Sequence, residues 1–213
     1  MLTSRHNDQL YLIGVREQAA ADDCTQVTFS TTRGDVTAYA RHTRGSRKAV
    51  ILLGTDSPDA VADSELGDIC RQLAQHGIGS VRLDYRFPGD RAQCAIDALL
   101  VCQYLDDEGV NEVLLVGWSF GAAVALAAGS VGRTVRGVAA IHPPDVPECC
   151  IQWMGGKPLL LMNGKGGSIC PHPTHVRNLT PTRPYSRAEL IDWILRTFGA
   201  AASPADQAIT AGR

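Results

Sequence analysis

The stretch that most constrains this chain is Gly117-Trp118-Ser119-Phe120-Gly121, a G-x-S-x-G flanked on both sides by runs of matching character. Glu112-Val113-Leu114-Leu115-Val116 precedes it and reads as a short buried strand, and Ala122 to Gly129 follows as a small-residue, closely packed helix. A serine at a sharp strand-to-helix turn is held in a strained backbone, with its hydroxyl lifted clear of the sheet. Glycine on either side leaves room where a larger side chain would collide. The helix that opens there points unpaired N–H groups at any anion formed beside the serine. Five residues in isolation carry little; a strand before them and a helix after them carry a good deal.

Composition sets the frame for that turn. A chain of 213 residues that is 45% apolar has material for one sizeable core, expected as a single domain over residues 1–198, with an Ala-, Pro- and Gly-rich tail over 199–213 expected to be disordered. The net charge of −2 argues against nucleic acid or an anionic membrane as the main partner. Arg41, Arg44, Arg47 and Lys48 form the densest basic group and read as a solvated hairpin end. No apolar run reaches the ~20 residues of a membrane span, and Met1 to His6 does not read as a signal peptide. The seven cysteines are odd in number, and Cys24, Cys70, Cys94 and Cys102 fall in ordinary helix or strand patterns, which suits reduced thiols in a cytoplasmic protein.

Around the central turn the elements alternate. Leu10 to Val15 reads as a first strand; Gln26 to Ser30 and Asp35 to Ala40 alternate with period two about Thr32-Arg33-Gly34, an antiparallel hairpin. Strands follow at Ala49–Leu53, Ser80–Asp84, Val135–Ile141 and Lys157–Met162. Helices are expected at Val61–His76, Arg91–Glu108 and Ser186–Phe198, the last opened by a Ser-x-x-Glu box at Ser186 and Glu189. Such alternation makes a mostly parallel sheet with helices on both faces, that is, an α/β fold with an N-terminal antiparallel hairpin.

Over roughly residues 25 to 198 the chain resembles the α/β-hydrolase family, most nearly its small dienelactone-hydrolase-like and esterase-like members. Beyond the G-x-S-x-G, Arg82-Leu83-Asp84-Tyr85-Arg86 looks like the family's R-x-D-Y-R after the fourth strand, and Lys157 to Gly164 looks like its seventh strand. The resemblance implies a serine hydrolase acting on small acyl substrates with no cofactor and no metal. Ser119 is then the nucleophile, the N–H of Phe120 one oxyanion donor, and the N–H of Thr55, or less favourably Asp56, the other. Trp118, beside the nucleophile, is expected to wall the acyl pocket. The short connection from Pro143 to Gly156 leaves little room for a lid.

The chain departs from the family in the rest of the triad. Where relatives carry the acid after the seventh strand, this sequence has Gly167, and the eighth strand with its histidine is expected to be missing. Asp145, after the sixth strand, is the substitute acid, and loop aspartates near prolines are commonly only turn residues. His175, then His172, are the substitute bases, with His142 as a third candidate nearer to the sheet. His6, His42 and His76 sit at a terminus, a strand end and a helix end. Cys149, Cys150, Cys170 and the nearby histidines lack metal-ligand spacing. Three readings follow: an active esterase; a relative of the same fold that has lost turnover and binds ligands; or a homodimer whose partner subunit supplies the missing strand and histidine.

Overall fold

The computed structural model describes residues 10–21, 24–43, 45–54, 63–143, 154–163 and 179–199. Their strands are β1 Leu12–Ala19, β2 Thr25–Thr31, β3 Gly34–Arg41, β4 Lys48–Leu53, β5 Gly79–Asp84, β6 Glu112–Trp118, β7 Val135–Ile141, β8 Leu159–Asn163 and β9 Leu179–Pro184. The helices among these residues are α1 Asp63–Gln75, α2 Arg91–Asp107, α3 Phe120–Val131 and α4 Arg187–Thr197. All nine strands join one sheet in the order β1-β2-β3-β5-β4-β6-β7-β8-β9. The strands β1, β2, β3 and β5 pair antiparallel in succession, and the sheet from β5 to β9 is parallel.

The alternation of side chains along each strand sorts the core into two layers. Ile51, Leu53, Val113 and Leu115 face α2 and α3, whose Cys94, Ala98, Val124 and Ala128 are fully buried. Val50, Leu52, Leu114, Val116 and Trp118 face α1 and α4, packing on Ile69, Leu73, Leu190 and Ile194. Both faces of β4 and β6 are therefore covered, which is why these strands are almost wholly apolar. Asp68 of α1 accepts from Arg187 of α4 at 2.7 Å and tacks the two helices together at their exposed edges. No helix among the described residues is long and apolar enough to cross a membrane.

Two expectations need correction. The first strand runs from Leu12 to Ala19, continuing through Arg16, Glu17 and Gln18; it lies exposed along its whole length at the sheet edge, where polar side chains cost nothing. The eighth strand of the hydrolase pattern is not missing: it is β9, paired parallel to β8. Its Leu-Thr-Pro-Thr-Arg-Pro sequence hides it, since two prolines argue against a strand unless it lies at an edge or a bulge. Here it has both, for β9 is the other sheet edge and its register slips between Leu160 and Met162. The helix α2 also buries a carboxylate completely, that of Asp97.

Two helices open on side-chain caps, of which the one at Ser186 was read from the sequence. Asp90 accepts from the N–H groups of Ala92 and Gln93 at 3.1 Å and opens α2. The Ser186 hydroxyl accepts from the Glu189 N–H at 3.4 Å and opens α4.

Candidate active site

The turn at Ser119 is built by backbone crowding. Residue 119 has φ 50° and ψ −117°, a conformation that L-residues avoid, and it sits between the last residue of β6 and the first of α3. Holding it there costs roughly 1–3 kcal/mol, which the packed elements on either side must offset. A Cβ at Gly117 would run into the backbone of Gly121 and Ala122, and one at Gly121 into the carbonyls of Leu53 and Gly54. The two glycines are therefore required by close approach, and Gly121 also presses the start of α3 against the end of β4.

Ser119 is exposed, and its hydroxyl makes no capping hydrogen bond. Phe120 is the first residue of α3, so its N–H has no carbonyl partner within the helix. The Phe120 ring meets Tyr85 edge-on at 6.1 Å, and the Tyr85 hydroxyl donates to the Gly54 carbonyl at 3.3 Å. Tyr85 thus joins the R-x-D-Y-R stretch, the serine turn and the last residue before the β4–α1 connection. Burial pushes its phenol well above the usual range, so it remains a neutral donor.

Arg86 of the same stretch is structural. Its Nε donates to Asp97 Oδ1 at 2.6 Å and its backbone N–H to Asp97 Oδ2 at 3.0 Å, with both side chains shut away from solvent. Burial outweighs these contacts and leaves the Asp97 carboxyl above its ordinary range. The pair fixes the connection from β5 to α2.

Beside the serine, the strand ends form a stepped ladder. Trp118 and Ile141 are lateral partners, as are Ile141 and Met162. One residue further on, the Ser119 N–H donates to the Ile141 carbonyl at 2.8 Å and the His142 N–H to the Met162 carbonyl at 2.7 Å. His142 has φ 49°, and it and Ser119 are the only non-glycine residues with positive φ among the described residues. Its exposed ring meets Tyr185 edge-on at 6.0 Å.

Tyr185 directly follows β9, and its hydroxyl donates to Glu65 Oε1 of α1 at 2.5 Å. Burial, then this bond and the Glu65 charge, hold the phenol above its usual range, while Trp118 and Arg187 pull the other way. The buried Trp118 indole N–H lies beside that hydroxyl, close enough to favour its ionised form but outside hydrogen-bond geometry. Trp118 itself is only 5% exposed and packs within the layer under α1 and α4.

Of the residues singled out from the sequence, Ser119, Phe120, Trp118 and His142 come together at the carboxyl ends of β6 and β7. Thr55, Asp56, Asp145, Gly167, His172 and His175 lie outside the described residues. Tyr185 and Glu65 escaped the sequence reading; the only local signal for Tyr185 is its place immediately before the Ser186 cap.

A sheet of this order, with a strained serine after its central parallel strand, defines the α/β-hydrolase fold. No family model and no curated protein matches the sequence. Solved structures do match. Est1E from Butyrivibrio proteoclasticus, also seen with ferulic acid bound, superposes with a TM-score of 0.62 at 12% identity over 87% of this chain and 99% of its own. An α/β serine hydrolase without a lid from Xanthomonas campestris gives 0.60 at 15% identity over 88% and 100%. A cold-adapted esterase from an Arctic intertidal metagenomic library gives 0.62 at 10% identity over 87% and 99%. The chain shares their fold at nearly their full length.

Proposed function

We propose that this protein is a serine hydrolase that cleaves small carboxylic esters or related acyl compounds through an acyl-enzyme on Ser119. The observation that carries the reading is the backbone of Ser119: a φ of 50° at an exposed serine between β6 and α3, flanked by two glycines that cannot be larger. Such strain persists where a function uses it.

In the proposed reaction a base takes the proton from Ser119 Oγ as Oγ bonds to the ester carbonyl carbon. The oxyanion is received by the N–H of Phe120 and, as the family resemblance implies, that of Thr55. The C–O bond to the alcohol then breaks and the base returns its proton to the leaving oxygen. Water repeats the sequence to free the acid. His142 on this rim, together with His172 and His175 from the sequence reading, are the candidate bases, and Asp145 is the candidate acid.

One observation favours a second reading, in which the fold persists without turnover. Tyr185, not histidine, follows β9, where hydrolases of this pattern carry their base. Hydrolysis of p-nitrophenyl acetate separates the two. An active enzyme turns it over and loses this on Ser119→Ala, whereas a ligand-binding relative shows no Ser119-dependent rate. The short β7–β8 connection supports an open site, so acetate esters are expected to be cleaved in preference to long-chain ones.

A further inference from the structure

Resting on the reading of Ser119 as nucleophile, we propose that His142 is the base that activates it, with Tyr185 positioning the imidazole. The stepped ladder carries the argument. Because Trp118 and Ile141 are lateral partners, Ser119 and His142 leave the ends of adjacent parallel strands, about 4.8 Å apart by ordinary strand spacing. That gap suits a serine hydroxyl on one strand and an imidazole on the next. Both backbones are then turned by positive φ at the same level, and both are locked there by hydrogen bonds to the neighbouring strand.

Neither turn is a loop accident. A histidine at φ 49° costs energy that a glycine at 142 would not, and the chain retains it at the rim beside the serine. No hydrogen bond to either ring nitrogen of His142 is present among the described residues, so neither nitrogen is tied to another group there. The ring packs edge-on against Tyr185, which is itself fixed by the 2.5 Å bond to Glu65. That contact limits the directions in which the imidazole can turn. Ser119 and His142 are not hydrogen-bonded to each other; catalytic bonds of this kind commonly close only in the substrate complex. The usual base of the fold follows the eighth strand, where this chain has Tyr185; the Tyr185 ring there supports an imidazole that comes from β7.

The test is the rate at which the full chain is modified by a fluorophosphonate, read by intact mass. Ser119 Oγ bonds to phosphorus, fluoride leaves, and the hydroxyl proton passes to the base. Wild-type protein is expected to label within minutes. His142→Asn, whose side chain tolerates positive φ but has no basic nitrogen, is expected to label at least about 100-fold more slowly. His142→Gly relaxes the backbone and leaves a space, and added free imidazole is expected to restore much of its rate, which a purely structural role would not allow. Wild-type labelling that is unchanged in His142→Asn, unrestored by imidazole in His142→Gly, or slowed as much by His172→Ala or His175→Ala overturns the assignment of the base while leaving Ser119 as nucleophile. Absence of labelling in the wild type overturns both.

Discussion

The N–H of Ser119 donates to the carbonyl of Ile141 at 2.8 Å, so the strained serine is anchored to the strand whose next residue, His142, is strained in the same sense. The serine is held by its backbone. Its hydroxyl makes no capping bond, and the helix it opens gains nothing from the side chain at that position.

Removing the side chain should therefore relax the turn. Ser119→Gly is expected to raise stability by about 1 kcal/mol, since glycine adopts positive φ without penalty, while abolishing modification at this position. Ser119→Ala keeps the strain and is expected to melt close to the wild type. Urea denaturation of both variants checks the difference.

Gly121→Ala tests the crowding that shapes the turn. Its Cβ would meet the carbonyls of Leu53 and Gly54, which cannot move without disturbing β4. A loss of about 1–3 kcal/mol is expected in urea, together with a large fall in the rate of p-nitrophenyl acetate hydrolysis. A variant with wild-type stability and rate would show that α3 approaches β4 less closely than described.

The buried Arg86–Asp97 pair should behave as a unit. Arg86→Met strands a carboxylate in the core and is expected to cost roughly 3–5 kcal/mol, whereas Arg86→Met combined with Asp97→Leu should cost markedly less than the sum of the single changes. A double-mutant cycle on urea midpoints provides the measurement.

Thiol reactivity follows from burial. Cys94 and Cys102 are shut in the layer beneath α2 and α3, and burial pushes both thiols up to about 12. At neutral pH both should resist Ellman's reagent in the folded protein and react on unfolding, with the modified residues located by peptide mass spectrometry. Rapid modification of either in the native state would contradict the packing of α2.

Tyr185 supplies a milder test of the rim. Tyr185→Phe keeps the ring against His142 and removes the bond to Glu65; Glu65→Gln weakens the same bond from the other side. Each is expected to slow Ser119 modification several-fold without abolishing it, and the double variant to be no slower than the worse single one. Additive losses would mean that the two residues act separately.

The turn at Ser119 was legible because every requirement is local: an apolar run, two glycines and a run of small residues within eighteen positions, Glu112 to Gly129. The parallel sheet was legible for a related reason, since strands buried on both faces must be apolar throughout and stand out from their surroundings. What the sequence could not give was β9 and the groups gathered beside the serine. The prolines of β9 are compatible with a strand only because it lies at an edge with a slipped register, a property of its neighbours. Glu65 and Tyr185 are 120 residues apart, and only the packing of α1 over the ends of the parallel strands brings a carboxylate to that phenol. Local patterns determined which segments become strands and helices and where the serine turns; pairing across the sheet decided which side chains meet it, because contacts between distant segments leave no periodic trace in either one.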